Sequence, residues 1–446
     1  MNKITASIVI PVYNAEKFLR PCLDTVLNQS FRDTEIIAVN DGSTDSSLEI
    51  LEVYAKIDSR LRVITTQDTG LGAGAARNAG LDQATGKYII FLDADDFFAP
   101  VLIEELVSRA EAVNADIVVC ATFGYDDKNG KIFERPFELD ESYLPDKDVF
   151  SHKDAPDCIF RFSNGVVWNK LYRQSFLQKT KLRFQTNVCL DDTNFVFLSY
   201  MLAERITVIN KRLIYYRYNV SNSQTERIGN NPESICAAFY ALKDALVGLG
   251  LYEIVKRSYV NMAVELAKWN LEKIADCQAF TLLYDKLKNE FFEKTDIIGN
   301  EQAYFYLKSH YIWVRLVSVC TATEYLFEQA SDFPTKMFPF PEDIVPAGAR
   351  IVLYGAGEVG RNYFRQLIKS LHCRVVLWAD KAFEELGGNV SSPHLIQSAR
   401  YDYVVIAVES EEIAGQIKAD LIGRLGVEEK KIVYAIGGIC GNADGQ

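Results

Sequence analysis

The N-terminal part of the chain alternates short apolar runs with longer segments in which apolar residues recur at helical spacing. Apolar runs of this length are typical of buried strands, and a period of about 3.6 residues is typical of helices that pack on one face. Alternating strands and helices predict a mainly parallel sheet covered by helices, which is an α/β fold. Strands are predicted at residues 6–14, 35–39, 61–66, 88–92 and 116–122.

The helix predicted after the first strand contains a proline. Apolar residues recur from Phe18 to Leu27, and Pro21 lies inside that pattern. Proline has no backbone N–H, and its ring clashes with the preceding turn. We therefore expect this helix to begin late or to form two pieces.

Three of the predicted strands end in polar clusters, at residues 13–16, 41–43 and 93–96. Residues two apart in an extended segment point the same way, so Asp93 and Asp95 can converge on one point. Carboxylates so close repel each other unless a cation lies between them. Mg²⁺ or Mn²⁺ binds through carboxylates together with substrate phosphates, and open α/β sheets place ligands at this edge. A ligand cleft is therefore predicted, and the alternative is an acidic turn that caps the next helix.

The run from Ser7 to Asp96 resembles the family-two nucleotide-sugar glycosyltransferases, which have the GT-A fold. The resemblance extends over roughly residues 4–225, less tightly in its later part. It implies an inverting, metal-dependent transfer of a sugar from a nucleoside diphosphate. Four motifs carry it: Ile-Pro-Val-Tyr-Asn-Ala-Glu, Val-Asn-Asp-Gly-Ser-Thr-Asp, Ala-Ala-Arg-Asn-Ala-Gly-Leu and Phe-Leu-Asp-Ala-Asp-Asp.

The resemblance implies a nucleoside pocket at the first two strand ends. Pro11, Tyr13 and Glu16 would line this pocket, and Asp41 would hydrogen-bond the base, usually uracil. The alternative for Tyr13 is a packing aromatic with no ligand.

The resemblance also implies a diphosphate site at the fourth strand. Arg77 would help to hold the nucleotide, and its alternative is a surface charge. Asp93 would face the ribose, with Ala94 beside it in the nucleotide-sugar site. Asp95 would hold the Mn²⁺ or Mg²⁺ that bridges the two phosphates.

Two later segments, at residues 166–172 and 187–195, also resemble the family and are expected to supply the base. Family members that build surface polysaccharides have a similar tryptophan-lysine-leucine-tyrosine segment, followed by an acidic pair ahead of a helix. The resemblance implies that Asp192 is the general base, and that Trp168, Lys170 and Asp191 line the acceptor or donor-sugar pocket. The chemistry needs such a carboxylate, because the acceptor hydroxyl must lose its proton as it attacks. The alternative is that both acids cap the helix at residues 193–203.

The family often has a histidine or a serine-rich segment after the position of Arg217. This chain has Asn219, Ser221, Ser223 and Thr225 there but no histidine. A third protein ligand for the metal is therefore left open.

Beyond the resemblance the pattern becomes helical, and Pro334, Pro339, Pro341 and Pro346 mark a linker. A strand then leads into Gly355, Gly357 and Gly360, and a further strand ends at Asp380, twenty residues past the last of these glycines. This spacing predicts a small Rossmann-like domain that can bind a dinucleotide. The expected domains are a GT-A glycosyltransferase domain at 1–228, a helical domain at 229–333, a linker at 334–349 and a Rossmann-like domain at 350–446.

The composition and the net charge bear on the partners and the cellular location of the protein. A net charge of -12 argues against a nucleic-acid partner, which requires a basic face. Nine cysteines without CxxC spacing predict reduced thiols in a cytoplasmic protein. The polar start predicts no secretory signal, and the apolar segment at residues 311–327 is predicted to be a packed helix. Peripheral docking at the inner face of a membrane and assembly into a homo-oligomer are left open.

The functional hypothesis is a transferase that moves a sugar from a UDP-sugar to a glycan acceptor on a lipid or protein carrier. Surface or capsular polysaccharides and glycoprotein glycans are the expected products. One alternative is an NAD(P)-dependent oxidoreductase that acts on nucleotide sugars through the C-terminal domain, although a sensing, assembly or vestigial role is favoured for that domain. Another alternative is a nucleotidyltransferase, which also gathers acids around Mg²⁺.

Overall fold

The computed structural model describes residues 4–66, 70–135, 138–186, 190–218, 228–329, 338–386 and 390–435. The chain divides into two compact units, Met1–Asn300 and Glu301–Gln446, and each is described by itself. The domain boundaries expected from the sequence, at residues 228, 333 and 349, stay predictions.

Within the described residues, the first unit is organised around one sheet of nine strands. Their order across the sheet is β3-β2-β1-β4-β8-β6-β9-β5, with β7 beside β6. The strands β1 to β4 run parallel, and β6 is parallel to β9, whereas β8 is antiparallel to both of its neighbours. The predicted α/β fold with a mainly parallel sheet is confirmed. The strands are β1 Ala6–Val12, β2 Thr34–Asn40, β3 Leu61–Thr65, β4 Tyr88–Phe91, β5 Phe97–Phe98, β6 Ile117–Asp126, β7 Ile132–Arg135, β8 Lys170–Arg173 and β9 Ile206–Tyr218.

The central strands are buried, because helices cover both faces of a parallel sheet. Every residue of β2 and β4 is buried, and so is all of β1 except Pro11. The described helices of this unit are α1 Glu16–Leu27, α2 Ser47–Ile57, α3 Ala73–Gln83, α4 Leu102–Val113, α5 Gln174–Thr180, α6 Asp191–Leu202, α7 Ser234–Gly248, α8 Tyr252–Lys273, α9 Cys277–Lys286 and α10 Phe292–Lys294.

The prediction that Pro21 divides the first helix was wrong. Helix α1 is continuous, with Pro21 inside it. The proline removes a single backbone hydrogen bond. The helix nevertheless buries Leu19, Cys22, Leu23 and Val26 against the sheet, and this packing holds its turns together.

The second unit contains a smaller sheet in which all described strands are parallel, in the order β12-β11-β10-β13-β14. Its helix α13 follows β10 directly, as expected for a nucleotide-binding turn, while membership of the Rossmann class stays a prediction. The strands are β10 Arg350–Tyr354, β11 Arg374–Ala379, β12 Val390–Ser391, β13 Tyr403–Ile406 and β14 Ile432–Val433. The helices are α11 Lys308–Val319, α12 Ala322–Gln329, α13 Glu358–Ser370, α14 Phe383–Leu386 and α15 Glu411–Gly423.

No helix in the described ranges of either unit combines the length and the apolar character needed to cross a bilayer.

Candidate active site

The parallel register of the central strands sets their carboxyl ends side by side. Val12, the last residue of β1, is paired with Asn40 of β2, and Val9 of β1 is paired with Phe91 of β4. The residues that follow these strands therefore emerge at one edge of the sheet, where ligands bind in open α/β folds.

The loop after β4 gathers three carboxylates. Asp93, Asp95 and Asp96 each offer an oxygen, and these atoms lie within 4.8 Å of one another. Burial and the nearby Asp93 together raise the pKa of Asp95 to about 6. Burial, Asp95 and Asp93 raise the pKa of Asp96 well above its usual value. A cation between these groups would relieve their repulsion.

Asp96 contributes a buried carboxylate to this cluster. Its side chain is buried, and Oδ1 accepts a hydrogen bond of 2.8 Å from the backbone N–H of Arg217. Its Oδ2 has no hydrogen-bond partner among the described residues. A buried carboxylate oxygen without a partner is costly. The acid cluster therefore fits a divalent cation, whose preferred ligands are carboxylate oxygens.

Arg217, near the end of β9, binds the loop between β4 and β5, residues 92–96, which is called the acid loop below. Its Nε donates to the backbone oxygen of Asp95 at 2.8 Å, and its Nη1 donates to Asp127 Oδ1 at 2.6 Å. The sequence interpretation gave no role to Asp96, Arg217 or Asp127. The run of acids could have revealed Asp96, whereas Arg217 is so distant in sequence that no local pattern connects it to this loop.

Arg77 joins this loop to a second group of acids. Its guanidinium is buried, and it donates to Asp93 Oδ1 at 2.8 Å and to Asp191 Oδ2 at 3.1 Å. A side chain at Gly74 would place its Cβ only 2.7 Å from Asp191 Oδ2, so a glycine is needed for this approach. Burial opposes the charge, but the surrounding carboxylates raise the pKa of Arg77, which stays a cation.

The acidic pair opens helix α6, where the helix dipole favours negative charge. Asp191 is buried and held by Arg77, whereas Asp192 is partly exposed. Burial, Asp191 and Asp93 together raise the pKa of Asp192 to about 7, against the opposing charge of Arg77. A carboxyl group that titrates near neutrality is suited to accept a proton.

The residues expected to bind the nucleoside lie at the ends of β1 and β2, and they differ in how exposed they are. Tyr13 is 45% exposed, and Glu16 is exposed with its carboxylate accepting from Ser46 N at 3.0 Å. Asp41 is buried, and its carboxylate accepts from Gly72 N at 2.8 Å and from Leu71 N at 3.3 Å. The glycine loop before α3 therefore already engages the acid that was expected to meet a base.

Three other expected site residues lie in the interior. Ala94 packs in the core of the first unit, and Trp168 stacks on Tyr216 with 5.3 Å between ring centroids. Lys170 is fully buried, and its ammonium faces oxygens of the segment before β8. Pro11, by contrast, is half-buried at the end of β1.

Comparison with known proteins identifies the family. The model of glycosyl transferase family 2 matches residues 7–186. Glycosyltransferase GlyG of Streptococcus pneumoniae is 32% identical over 216 residues, which cover 47% of this chain and 70% of that protein. The chain belongs to glycosyl transferase family 2.

Two further comparisons describe this family 2 member. It is 36% identical over 223 residues to the uncharacterized glycosyltransferase EpsJ of Bacillus subtilis; the match covers 49% of this chain and 62% of EpsJ, so the chain spans less than two thirds of that relative. The crystal structure of S. aureus TarS 1-349 in complex with UDP-GlcNAc superposes with a TM-score of 0.55 at 17% identity, over 75% of this chain and 94% of that one. This likeness shows a shared fold.

The segment of this family 2 member that was expected to close over a diphosphate, with Asn219, Ser221, Ser223 and Thr225, lies outside the described residues. Asp93, Asp95, Arg77, Asp191 and Asp192 are the expected site residues that the structure brings together.

The second unit matches the model named C2185-like, N-terminal, at residues 348–433. In its glycine turn, Gly355 has a φ of +113°, and a Cβ at Gly360 would lie 2.0 Å from the carbonyl oxygen of Gly355. The carboxylate of Asp380 accepts from Ala356 N at 2.7 Å and from Ala382 N at 2.9 Å. The acid expected to meet a ribose therefore binds the turn itself, while Gly357 has open space around it.

Proposed function

We propose that this chain is an inverting glycosyltransferase that moves a sugar from a UDP-sugar to a hydroxyl of a glycan acceptor, assisted by a divalent cation. The observation that carries the proposal is the Arg77 bridge, which brings Asp93 of the acid loop and Asp191 of the acidic pair to one guanidinium. The proposed site for the leaving diphosphate would thereby lie beside a carboxylate of raised pKa, and this reaction requires both.

The acid loop is the proposed metal site. Asp95 would hold Mn²⁺ or Mg²⁺, with Asp93 and Asp96 close enough to assist, and the partnerless Oδ2 of Asp96 supports this assignment. When bound, such a cation neutralises the charge that develops on the departing diphosphate. Arg217 keeps the loop in place through its bonds to the acid loop and to Asp127.

The donor is proposed to be UDP-linked, because TarS, which shares the fold, was crystallised with UDP-GlcNAc. Pro11, Tyr13 and Glu16 would line the nucleoside pocket beside Asp41 and Ala94. For Asp41 to accept from a base, its hydrogen bonds to Leu71 and Gly72 have to be exchanged for bonds to the ligand. The acceptor is proposed to be a glycan on a lipid or protein carrier, as in surface polysaccharide synthesis.

Asp192 is the proposed base. It would take the proton of the acceptor hydroxyl as that oxygen attacks the anomeric carbon opposite the diphosphate, so one displacement inverts the anomeric centre. Asp191 fixes the first turn of α6 through Arg77. Trp168 and Lys170 support the sugar pocket from the interior. The oxidoreductase alternative is not favoured, because both carboxylate oxygens of Asp380 are used within the second unit.

A screen of nucleotide sugars for Mn²⁺-dependent hydrolysis, combined with calorimetry of UDP binding, tests the proposal. We expect UDP binding that requires Mn²⁺, and turnover that falls by about a hundredfold or more in Asp95→Asn, because a metal ligand contributes several kcal/mol to such a transition state. Glu52→Gln, which changes an exposed carboxylate on α2, is the control and should keep full activity. UDP binding indifferent to Mn²⁺, together with full activity of Asp95→Asn, would overturn the proposal.

A further inference from the structure

Lys170 is a buried cation whose hydrogen-bond acceptors are all neutral. Its Nζ donates to Val166 O at 2.5 Å, to Asn169 Oδ1 at 2.7 Å and to Asn164 O at 3.3 Å. An ammonium group has three protons, and these three acceptors use them all. The bonds satisfy the donors but include no carboxylate, and a buried charge without a hydrogen-bonded ion partner is costly.

These bonds fasten a segment that supports the start of α6. The carbonyls of Asn164 and Val166 lie on either side of Gly165 in the chain. Gly165 packs so closely on α6 that a Cβ there would lie 3.3 Å from both Cα and Oγ1 of Thr193. Thr193 directly follows Asp192. The hydrogen bonds of Lys170 therefore fix the segment that packs against the first turn of α6.

The charge of Lys170 also acts on the carboxylate of Asp192. Asp192, Cys120 and Glu138 are titratable groups that face Lys170, and the ring centroid of Tyr200 lies 5.8 Å from its Nζ. Burial lowers the pKa of Lys170 to about 7, and Asp192 opposes this fall more than the other two groups do. Asp192 is also faced by Asp191, Arg77, Asp93 and Tyr172. Arg77 lowers the pKa of Asp192, but its hydrogen bonds go to Asp191 and Asp93 rather than to Asp192.

We infer that Lys170 is a positioning residue for sugar transfer, which holds Asp192 in place and favours its anionic form without touching the sugar. This inference rests on the proposed function, in which Asp192 is the base. It also differs from the sequence-based expectation that Lys170 lines a sugar pocket.

The test is the pH profile of kcat for UDP-sugar turnover with Mn²⁺, measured as UDP release. In Lys170→Met we expect kcat to fall by about tenfold to a hundredfold, because a small misplacement of a catalytic group is costly. The KM for the donor should stay within about twofold of wild type, and the acidic limb of kcat should move to higher pH, since a lost positive charge makes Asp192 harder to ionise. Lys170→Arg keeps the charge and should leave the limb in place. Lys56→Met, at an exposed lysine on α2, is the matched control.

Gly165→Ala separates position from charge. The added Cβ presses on Thr193 while every charge is kept, so kcat should fall with the acidic limb unmoved. A folded Lys170→Met whose profile superposes on that of wild type would overturn the inference. If Lys170→Met does not fold, wild-type kcat in Gly165→Ala overturns it instead. If wild type itself releases no UDP from any nucleotide sugar, the proposed function has failed rather than this inference.

Discussion

Arg77 Nη2 lies 2.8 Å from Asp93 Oδ1, where the guanidinium is almost completely shielded from water. The same guanidinium reaches Asp191, so one buried cation connects the end of β4 to the start of α6. Removing two carboxylates and a guanidinium from water is unfavourable by itself. The arrangement is therefore best understood as a device that fixes the distance between two parts of the site, rather than as a source of stability.

Removing this cation should destabilise the first unit. In Arg77→Met the buried Asp191 and the partly exposed Asp93 lose their partner, and we expect the free energy of unfolding to fall by about 3–5 kcal/mol, mainly through Asp191. Arg183→Met is the control, because Arg183 forms an exposed pair with Asp82 that is worth about 0–1 kcal/mol. Urea unfolding, with hydrogen exchange followed in β4, α3 and α6, provides the measurement. Equal losses in the two variants would contradict this account of Arg77.

The two acids of the pair should respond differently to the same substitution. Asp192→Asn removes the proposed base, so kcat should fall by about 10²–10⁴ while the affinity for UDP is kept. Asp191→Asn weakens the Arg77 bridge, so its main effect should be on stability. Steady-state kinetics and calorimetry with UDP separate the two effects. A larger loss of kcat in Asp191→Asn than in Asp192→Asn would show that Asp192 is not the base.

The raised pKa of Asp192 has consequences for pH dependence with a definite sign. The folded value is about 7, against 3.8 for the free side chain, so between these values the folded state binds more protons than the unfolded state. The stability that this proton contributes is fully present below about pH 4 and is lost as pH rises through about 7. Over the same rise kcat should increase, because the base becomes ionised.

Urea midpoints at about pH 5 and about pH 8 check this sign. In Asp192→Asn the loss of stability with rising pH should be smaller than in wild type, because the titrating group is gone. Asp82→Asn, at the exposed Asp82–Arg183 pair, is the control and should keep the wild-type dependence. An identical dependence in Asp192→Asn would show that Asp192 titrates normally in the folded chain.

Two glycines of the second unit form a matched pair. A Cβ at Gly360 would lie 2.0 Å from the backbone oxygen of Gly355, whereas a Cβ at Gly357 meets nothing within 4 Å. We expect Gly360→Ala to cost about 1–3 kcal/mol or more through overpacking, and Gly357→Ala to cost about 1 kcal/mol or less. Hydrogen exchange in β10 and α13 measures the local effect. Equal protection in the two variants would mean that β10 and α13 are not tightly packed.

The sequence by itself determined the alternation of β1 to β4 and β6 with the helices α1 to α4, the acid run after β4 and the resemblance to family 2, but not the strands β5, β8 and β9. These features are local: strand burial follows from apolar runs, and Asp93, Asp95 and Asp96 lie within a few residues of each other on any backbone path. The acidic pair ahead of α6 was visible for the same reason.

Only the tertiary structure decided which distant groups meet these acids. It brought Arg77 to Asp93 and Asp191, and Arg217 to the acid loop. It buried Lys170 beside the segment that packs on α6. It also directed the carboxylate of Asp380 to the backbone of the glycine turn after β10. It also kept α1 whole across Pro21, because packing against the sheet outweighs one lost hydrogen bond. Spacing along the chain cannot specify such contacts, because they depend on which segments the sheet order and the packing of helices bring together.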